Sequence, residues 1–125
     1  MKSLLLCSNF INAIIVYYVN NSKKKYMKIT FYGHACIGIE VSGKSILVDP
    51  FISANPKASH ININELKPDF ILITHAHQDH TLDVEYIMQN NPDAIIVSNA
   101  EIATYYIAKG FNCHMMNHGG SWNFD

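Results

Sequence analysis

The chain has no basic patch. Lysine and arginine together number 9 against 10 acidic residues, the formal net charge is −1, and charged residues make up only 15% of the 125. That removes the electrostatic footprint expected of a protein that grips nucleic acid or an anionic membrane surface. The one basic run, Lys23-Lys24-Lys25, is short and reads as a solvated linker. Paired cysteines are also missing. Cys7, Cys36 and Cys113 stand far apart with no C-x-x-C spacing, so small buried thiols in a reducing, cytoplasmic compartment are expected. No apolar run reaches the roughly 20 residues that a membrane-spanning helix needs. Leu4 to Val19 comes nearest, but Ser8, Asn9 and Asn12 interrupt it. Tyr17-Tyr18-Val19-Asn20 lacks the small residues of a secretory cleavage site. Internal repeats and low-complexity tracts are absent too.

What is present fits one domain of modest stability. Residues 1–26 read as an extension of uncertain status, a mis-called start or a leader, and Met27 opens the patterned part, 27–125. Lys28 to Tyr32 has the β-branched and aromatic character of a strand, broken by Gly33. Ala35 to Val41 alternates, and Ser42-Gly43-Lys44 turns it into Ser45 to Val48. Asp49-Pro50 stops that strand, since proline has no N–H to donate and restricts the residue before it. Residues 51–67 are polar and irregular. Phe70 to Thr74 is an unbroken apolar run typical of a strand buried on both faces. An amphipathic helix over Thr81 to Asn90, a strand over Ala94 to Val97, a helix from Ser98 or Asn99 to Lys109 and a strand over Phe111 to Met116 follow. Gly119-Gly120 is a turn, and Ser121 to Phe124 begins to look like a further strand. An antiparallel first half feeding a strand–helix alternation gives an α/β (α+β) class with a mixed, partly parallel sheet and flanking helices.

Chemistry concentrates in His75-Ala76-His77-Gln78-Asp79-His80. Histidines at i and i+2 face the same side of an extended chain, so His75 and His77 can converge on one ion. Imidazole suits zinc at about 2.0–2.1 Å, and two such ligands call for one or two more. Asp79 and His80 follow at the turn into a helix and could serve a second ion. Two ions about 3.5–4 Å apart can activate one water between them and stabilise a charged transition state. The cluster also sits at the carboxyl end of a buried strand, where α/β sheets place their ligands.

With this H-x-H-x-D-H run, the chain resembles the metallo-β-lactamase fold superfamily. Within it, residues 27–36 (Met27 to Cys36), Ile46-Leu47-Val48-Asp49-Pro50-Phe51 and the double glycine after Asn117 are similar to the UPF0173 group of metal-dependent hydrolases. The resemblance covers residues 27–125. It implies the N-terminal half of an αββα sandwich carrying a two-zinc groove, with manganese or iron chemically tolerable. It further implies His75 and His77 on the first metal, Asp79 and His80 on the second, and Asp79 orienting or deprotonating the attacking water. Asp49 would fix the ligating imidazoles from behind, and His34 would support the groove. His60, His114 and His118 carry no motif and read as ordinary loop or surface histidines.

A complete member of that group is about twice as long and supplies a further histidine, a bridging aspartate and a final histidine downstream. The expectation is therefore an incomplete fragment of a hydrolase acting on an ester, lactone or phosphoester of a small-molecule substrate. One alternative is a non-catalytic metal-binding remnant, or a half-domain completed by another chain or a second copy. The other is an RNA-processing nuclease, disfavoured by the missing basic patch. Nucleic acid and stable membrane insertion are not expected. If residues 1–26 are an extension, a chain begun at Met27 stays soluble and folded by circular dichroism. Loss of folded protein on that truncation would exclude the reading.

Overall fold

Antiparallel pairing dominates the first half of the sheet and parallel pairing the second. The computed structural model describes residues 4–5, 13–20 and 23–124, with side chains from Met27 onward. Among the described residues, eight strands pair in sequence order. They are β1 (Leu4–Leu5), β2 (Ala13–Asn20), β3 (Lys23–Gly33), β4 (Cys36–Val41), β5 (Lys44–Val48), β6 (Phe70–Leu72), β7 (Ile95–Ser98) and β8 (Cys113–Met115). Pairing is antiparallel from β1 to β5 and parallel from β5 to β8. Among the described residues no helix is long and apolar enough to cross a membrane.

The lysine run is not a linker: it lies in β3, with Lys23, Lys24 and Lys25 opposite Asn20, Val19 and Tyr18. The reason is its neighbour. Ile14 to Val19 is a run of strong strand formers that carries the ladder past the lysines. The β4–β5 hairpin turns on Ser42 and Gly43, both at positive φ, the backbone that matches the twist of a two-residue turn. Chain reversal between β3 and β4 uses Gly33 (φ 108) and His34 (φ 54).

The parallel crossovers carry the helices. The β5–β6 link holds two short 3₁₀ turns, Pro56–Ala58 and Ile63–Glu65. Between β6 and β7 lie α1 (Gln78–Thr81) and α2 (Val84–Gln89), and between β7 and β8 lies α3 (Ala100–Ala108). The single helix expected over 81–90 starts three residues earlier and breaks at Leu82-Asp83. Asp83 is buried and makes no cap bond to its own helix. Its carboxylate instead accepts from the N–H groups of Ile52 (2.6 Å) and Ser53 (2.9 Å) and from the Ser53 hydroxyl. Asn99 caps α3 by accepting from Ile102 N–H at 3.0 Å, and Gly110 at φ 89 ends it, as the pattern predicts.

Alternation along the strands sorts the sheet into two unlike faces. Leu47, Ile71 and Ile96 point to the helix side and join Ile52, Ala58, Val84, Ile87, Met88, Ile102 and Tyr106 in one core. The opposite face carries Ile29, Phe31, Ile37, Ile39, Ile46, Val48, Phe70, Leu72, Ile95 and Val97, of which Val97 alone is buried. Residues 121–124 form no strand. They lie along that second face, where the Phe124 ring meets Phe70 at 4.8 Å and His114 at 5.0 Å, and Trp122 meets His114 at 5.1 Å. His114 lies in β8, within the strand expected over Phe111 to Met116, and its ring packs against these aromatics.

Ile71 is fully buried at the centre of the helix-side core. Replacing Ile71 by Ala should cost about 3 kcal/mol, read as a lower denaturation midpoint at unchanged slope in urea.

Candidate metal centre

Three turns meet at one edge of the sheet. Because β5, β6 and β7 are parallel, with Val48, Leu72 and Val97 in register, their carboxyl ends lie side by side. Asp49 leaves the end of β5, and Thr74-His75-Ala76-His77 leaves the end of β6. Because β4 runs antiparallel to β5, with Ile37 opposite Val48, the Gly33-His34 reversal reaches the same edge. The short helix α1 then starts after His77, whose backbone is still extended (ψ 147), and turns Asp79 and His80 back over the strand ends.

Asp49 sits beneath the cluster with 1% of its surface exposed. A carboxylate buried so deeply needs donors on its oxygens, and it has three. Thr74 N–H donates to Oδ1 at 2.8 Å, the Thr74 hydroxyl to Oδ2 at 2.6 Å, and His80 Nδ1–H to Oδ2 at 2.9 Å. The consequences pass up both arms. With the Nδ1 proton held by Asp49, the tautomer that a neutral His80 adopts has its lone pair on Nε2, facing the groove. The only hydrogen of the Thr74 hydroxyl is committed to Asp49, so Thr74 Oγ1 must accept from His75 Nδ1, 3.0 Å away. His75 therefore also presents an unprotonated Nε2. One carboxylate fixes two imidazole tautomers, one directly and one through a threonine.

The donor atoms converge in two groups. His75 Nε2 lies 3.1 Å from His77 Nδ1, close to the separation of about 3.3 Å that two nitrogens share on a tetrahedral zinc. The same-side placement expected of residues at i and i+2 is what the backbone delivers. In the second group His34 Nε2 is 3.0 Å from Asp79 Oδ2 and 3.4 Å from His80 Nε2. The set His34, Asp79 and His80 meets the spacing of a metal-binding triad. The rings of His75 and His80 join the two groups, 3.9 Å apart. Loss of solvent works to raise the Asp79 pKa. The N–H of its own residue and the nearby His80, His34 and His77 outweigh this and hold it below the usual carboxylate range. Imidazole and carboxylate donors of this kind fit zinc, and equally manganese or iron.

All six residues singled out in the sequence thus lie in one cluster. His34 Nε2 stands beside Asp79 and His80, with Phe51 edge-on to its ring at 5.7 Å. His60 and His118 are exposed and outside the cluster. Sequence reasoning missed Thr74, read only as the last residue of an apolar strand, and Asp83, whose clamp on Ile52 and Ser53 holds the loop that follows Asp49.

Comparisons with known proteins give the family. Residues 28–125 match the model of the beta-lactamase superfamily domain. A UPF0173 metal-dependent hydrolase of Flavobacterium johnsoniae is 68% identical over 99 residues, and one of Christiangramia forsetii is 54% identical over 100. Each alignment covers 79% of this chain and 44% of the relative, so the chain spans under half the length of these curated relatives. Among solved structures, Igni18, a metallo hydrolase from the archaeon Ignicoccus hospitalis, superposes with a TM-score of 0.63 at 34% identity. That match covers 75% of this chain and 41% of Igni18.

Thr74→Val removes the link between Asp49 and His75 while keeping shape, and Thr74→Ser keeps it. In the valine variant the Nδ1–H tautomer of His75 should lose its dominance in long-range ¹H–¹⁵N spectra, and zinc affinity should fall about 10–100-fold. The serine variant should match the parent in both measurements.

Proposed function

Because the chain belongs to the beta-lactamase superfamily, we propose that it supplies part of the active site of a metal-dependent hydrolase, with zinc as the metal. The observation that carries this reading is the pairing of His75 Nε2 with His77 Nδ1 beside Asp79 and His80, over a buried Asp49. His75 and His77 would hold one ion, and Asp79 and His80 another. When bound, the metal supplies Lewis acidity, making a water nucleophilic at neutral pH and countering negative charge on the substrate.

The remaining work falls to the chain's own groups. Asp79 is held in its ionised form by its neighbours, so it offers a carboxylate that can hold an ion and orient a water; the resemblance further suggests it as the group that deprotonates that water. Asp49 and Thr74 keep two imidazoles aimed without moving during turnover, which is how a fixed polar frame lowers a barrier. An ester, lactone or phosphoester of a small molecule is the substrate class this chemistry suits. We place the protein in the cytoplasm on the strength of its unpaired, scattered thiols.

The largely unburied apolar face of the sheet favours a second element in the same reading. Nine unburied hydrophobic residues on one face of a mixed sheet form a surface that sandwich folds cover with another layer. The chain would then act as a half-domain, joined by a segment equivalent to the remainder of its relatives or by a second copy of itself.

Zinc titration followed by native mass spectrometry tests the metal reading. The 125-residue chain should bind zinc. His75→Ala should weaken binding by more than the about 10–100-fold that loss of an outer partner costs. Hydrolysis of nitrophenyl esters and phosphoesters should be slight for this chain alone and rise when the relatives' remaining segment is added. No zinc binding would overturn the proposal. Tight binding of two ions with full turnover by the isolated chain would overturn the half-domain reading.

A further inference from the structure

His34 is the site residue whose geometry exceeds its expected role. Its backbone is left-handed (φ 54), a conformation that costs a non-glycine residue roughly 1 kcal/mol or more. Of the three non-glycine residues at positive φ among those described, Ser42 makes a hairpin turn, and the other two, His34 and Asp49, belong to this cluster. The ring is held in place by Phe51 at 5.7 Å and His80 at 5.0 Å, both edge-on.

Three potential donor atoms lie close enough together to share one ion. His34 Nε2 to Asp79 Oδ2 is 3.0 Å, His34 Nε2 to His80 Nε2 is 3.4 Å, and His80 Nε2 to Asp79 Oδ2 is 4.0 Å. A point equidistant from three atoms so spaced lies about 2 Å from each, the length of a zinc–nitrogen or zinc–carboxylate bond. In the neutral ring His80 keeps its lone pair on Nε2, because Asp49 fixes the proton on Nδ1. An ordinary hydrogen bond from His34 to Asp79 would account for the 3.0 Å separation alone. A His34 Nε2–H shared between Asp79 Oδ2 and His80 Nε2 would give both contacts, and an ion bound among the three atoms would take that proton's place.

We propose that His34 is a direct metal ligand, completing with Asp79 and His80 a three-donor site for a divalent transition-metal ion. The ion is bound through His34 Nε2, His80 Nε2 and Asp79 Oδ2. This rests on the metal-dependent reading above and adds a ligand from the β3–β4 turn, far from the histidine run in sequence. That turn would become part of the metal centre, so binding of the ion fixes the β3–β4 reversal against the start of α1.

The test follows imidazole nitrogens in the full ¹⁵N-histidine-labelled chain while zinc is added. Ligation should shift His34 Nε2 together with His80 Nε2. His34→Asn tolerates the left-handed backbone and should weaken zinc binding at this site about 10-fold or more. Added imidazole should restore binding to His34→Gly. If zinc shifts His75, His77 and His80 but leaves His34 unmoved, the inference is overturned and the metal-dependent reading stands. If zinc shifts no histidine, both fall. Should the variants fail to fold, the shift of His34 in the unaltered chain decides the question alone.

Discussion

The buried carboxylate of Asp49 is the constraint on which the candidate site depends. An uncompensated charge at 1% exposure would cost several kcal/mol, so the fold must bring donors to it. Those donors are Thr74 and His80. Satisfying Asp49 fixes the end of β6 and the first turn of α1 relative to the end of β5. The same three hydrogen bonds that solve a burial problem also set which imidazole nitrogens keep their lone pairs. Structural need and functional orientation are therefore one arrangement.

A second carboxylate does the mechanical counterpart of this work. Asp83 holds Ile52 and Ser53, and its own N–H donates to Pro50 O at 3.3 Å. The loop leaving Asp49 is thereby tied to the helix pair that follows the histidines. Phe51, within that loop, packs edge-on to His34. The two carboxylates tie the end of β5 and its following loop to the β6–α1 segment, and the Phe51 ring adds the β3–β4 turn through His34.

How much of this was legible in the sequence varies with how local the cause is. The run His75 to His80 announced itself because ligand spacing and strand period act within six residues. Asp49 was legible because proline marks the end of its strand. Helix α3 followed from Asn99 and Gly110, whose capping roles are short-range. The break at Leu82-Asp83 was not legible, since its cause is a set of backbone donors about thirty positions upstream. Thr74 was hidden for the same reason: its hydroxyl matters through Asp49, twenty-five positions away. Ser121 to Phe124 has strand-like residues but makes aromatic contacts rather than ladder bonds. The lysine run was misread because charge suggested solvent, while the register of β2 decided its conformation. His34 was singled out from its place after Gly33 at a strand end, but its 3.0 Å approach to Asp79 depends on three-dimensional packing across forty-five positions.

The sheet's two faces explain how a site can be preorganised on so short a chain. Everything that anchors the donors lies on the helix side or at the strand ends: Ile71 and Leu47 within the core, Asp49 and Asp83 at its rim. The half-exposed face of Ile37, Ile39, Ile46, Val48 and Leu72 carries none of the six site residues. Covering that face would add apolar burial, worth about 25 cal/mol per Å², and hence global stability. It would not be needed to set the Asp49–Thr74–His75 geometry, which rests on contacts within 49–80 alone. Stability and site geometry are therefore separable here. A layer added to the open face raises the fraction of chains that are folded, while the aim of the imidazoles within each folded chain is already fixed by Asp49.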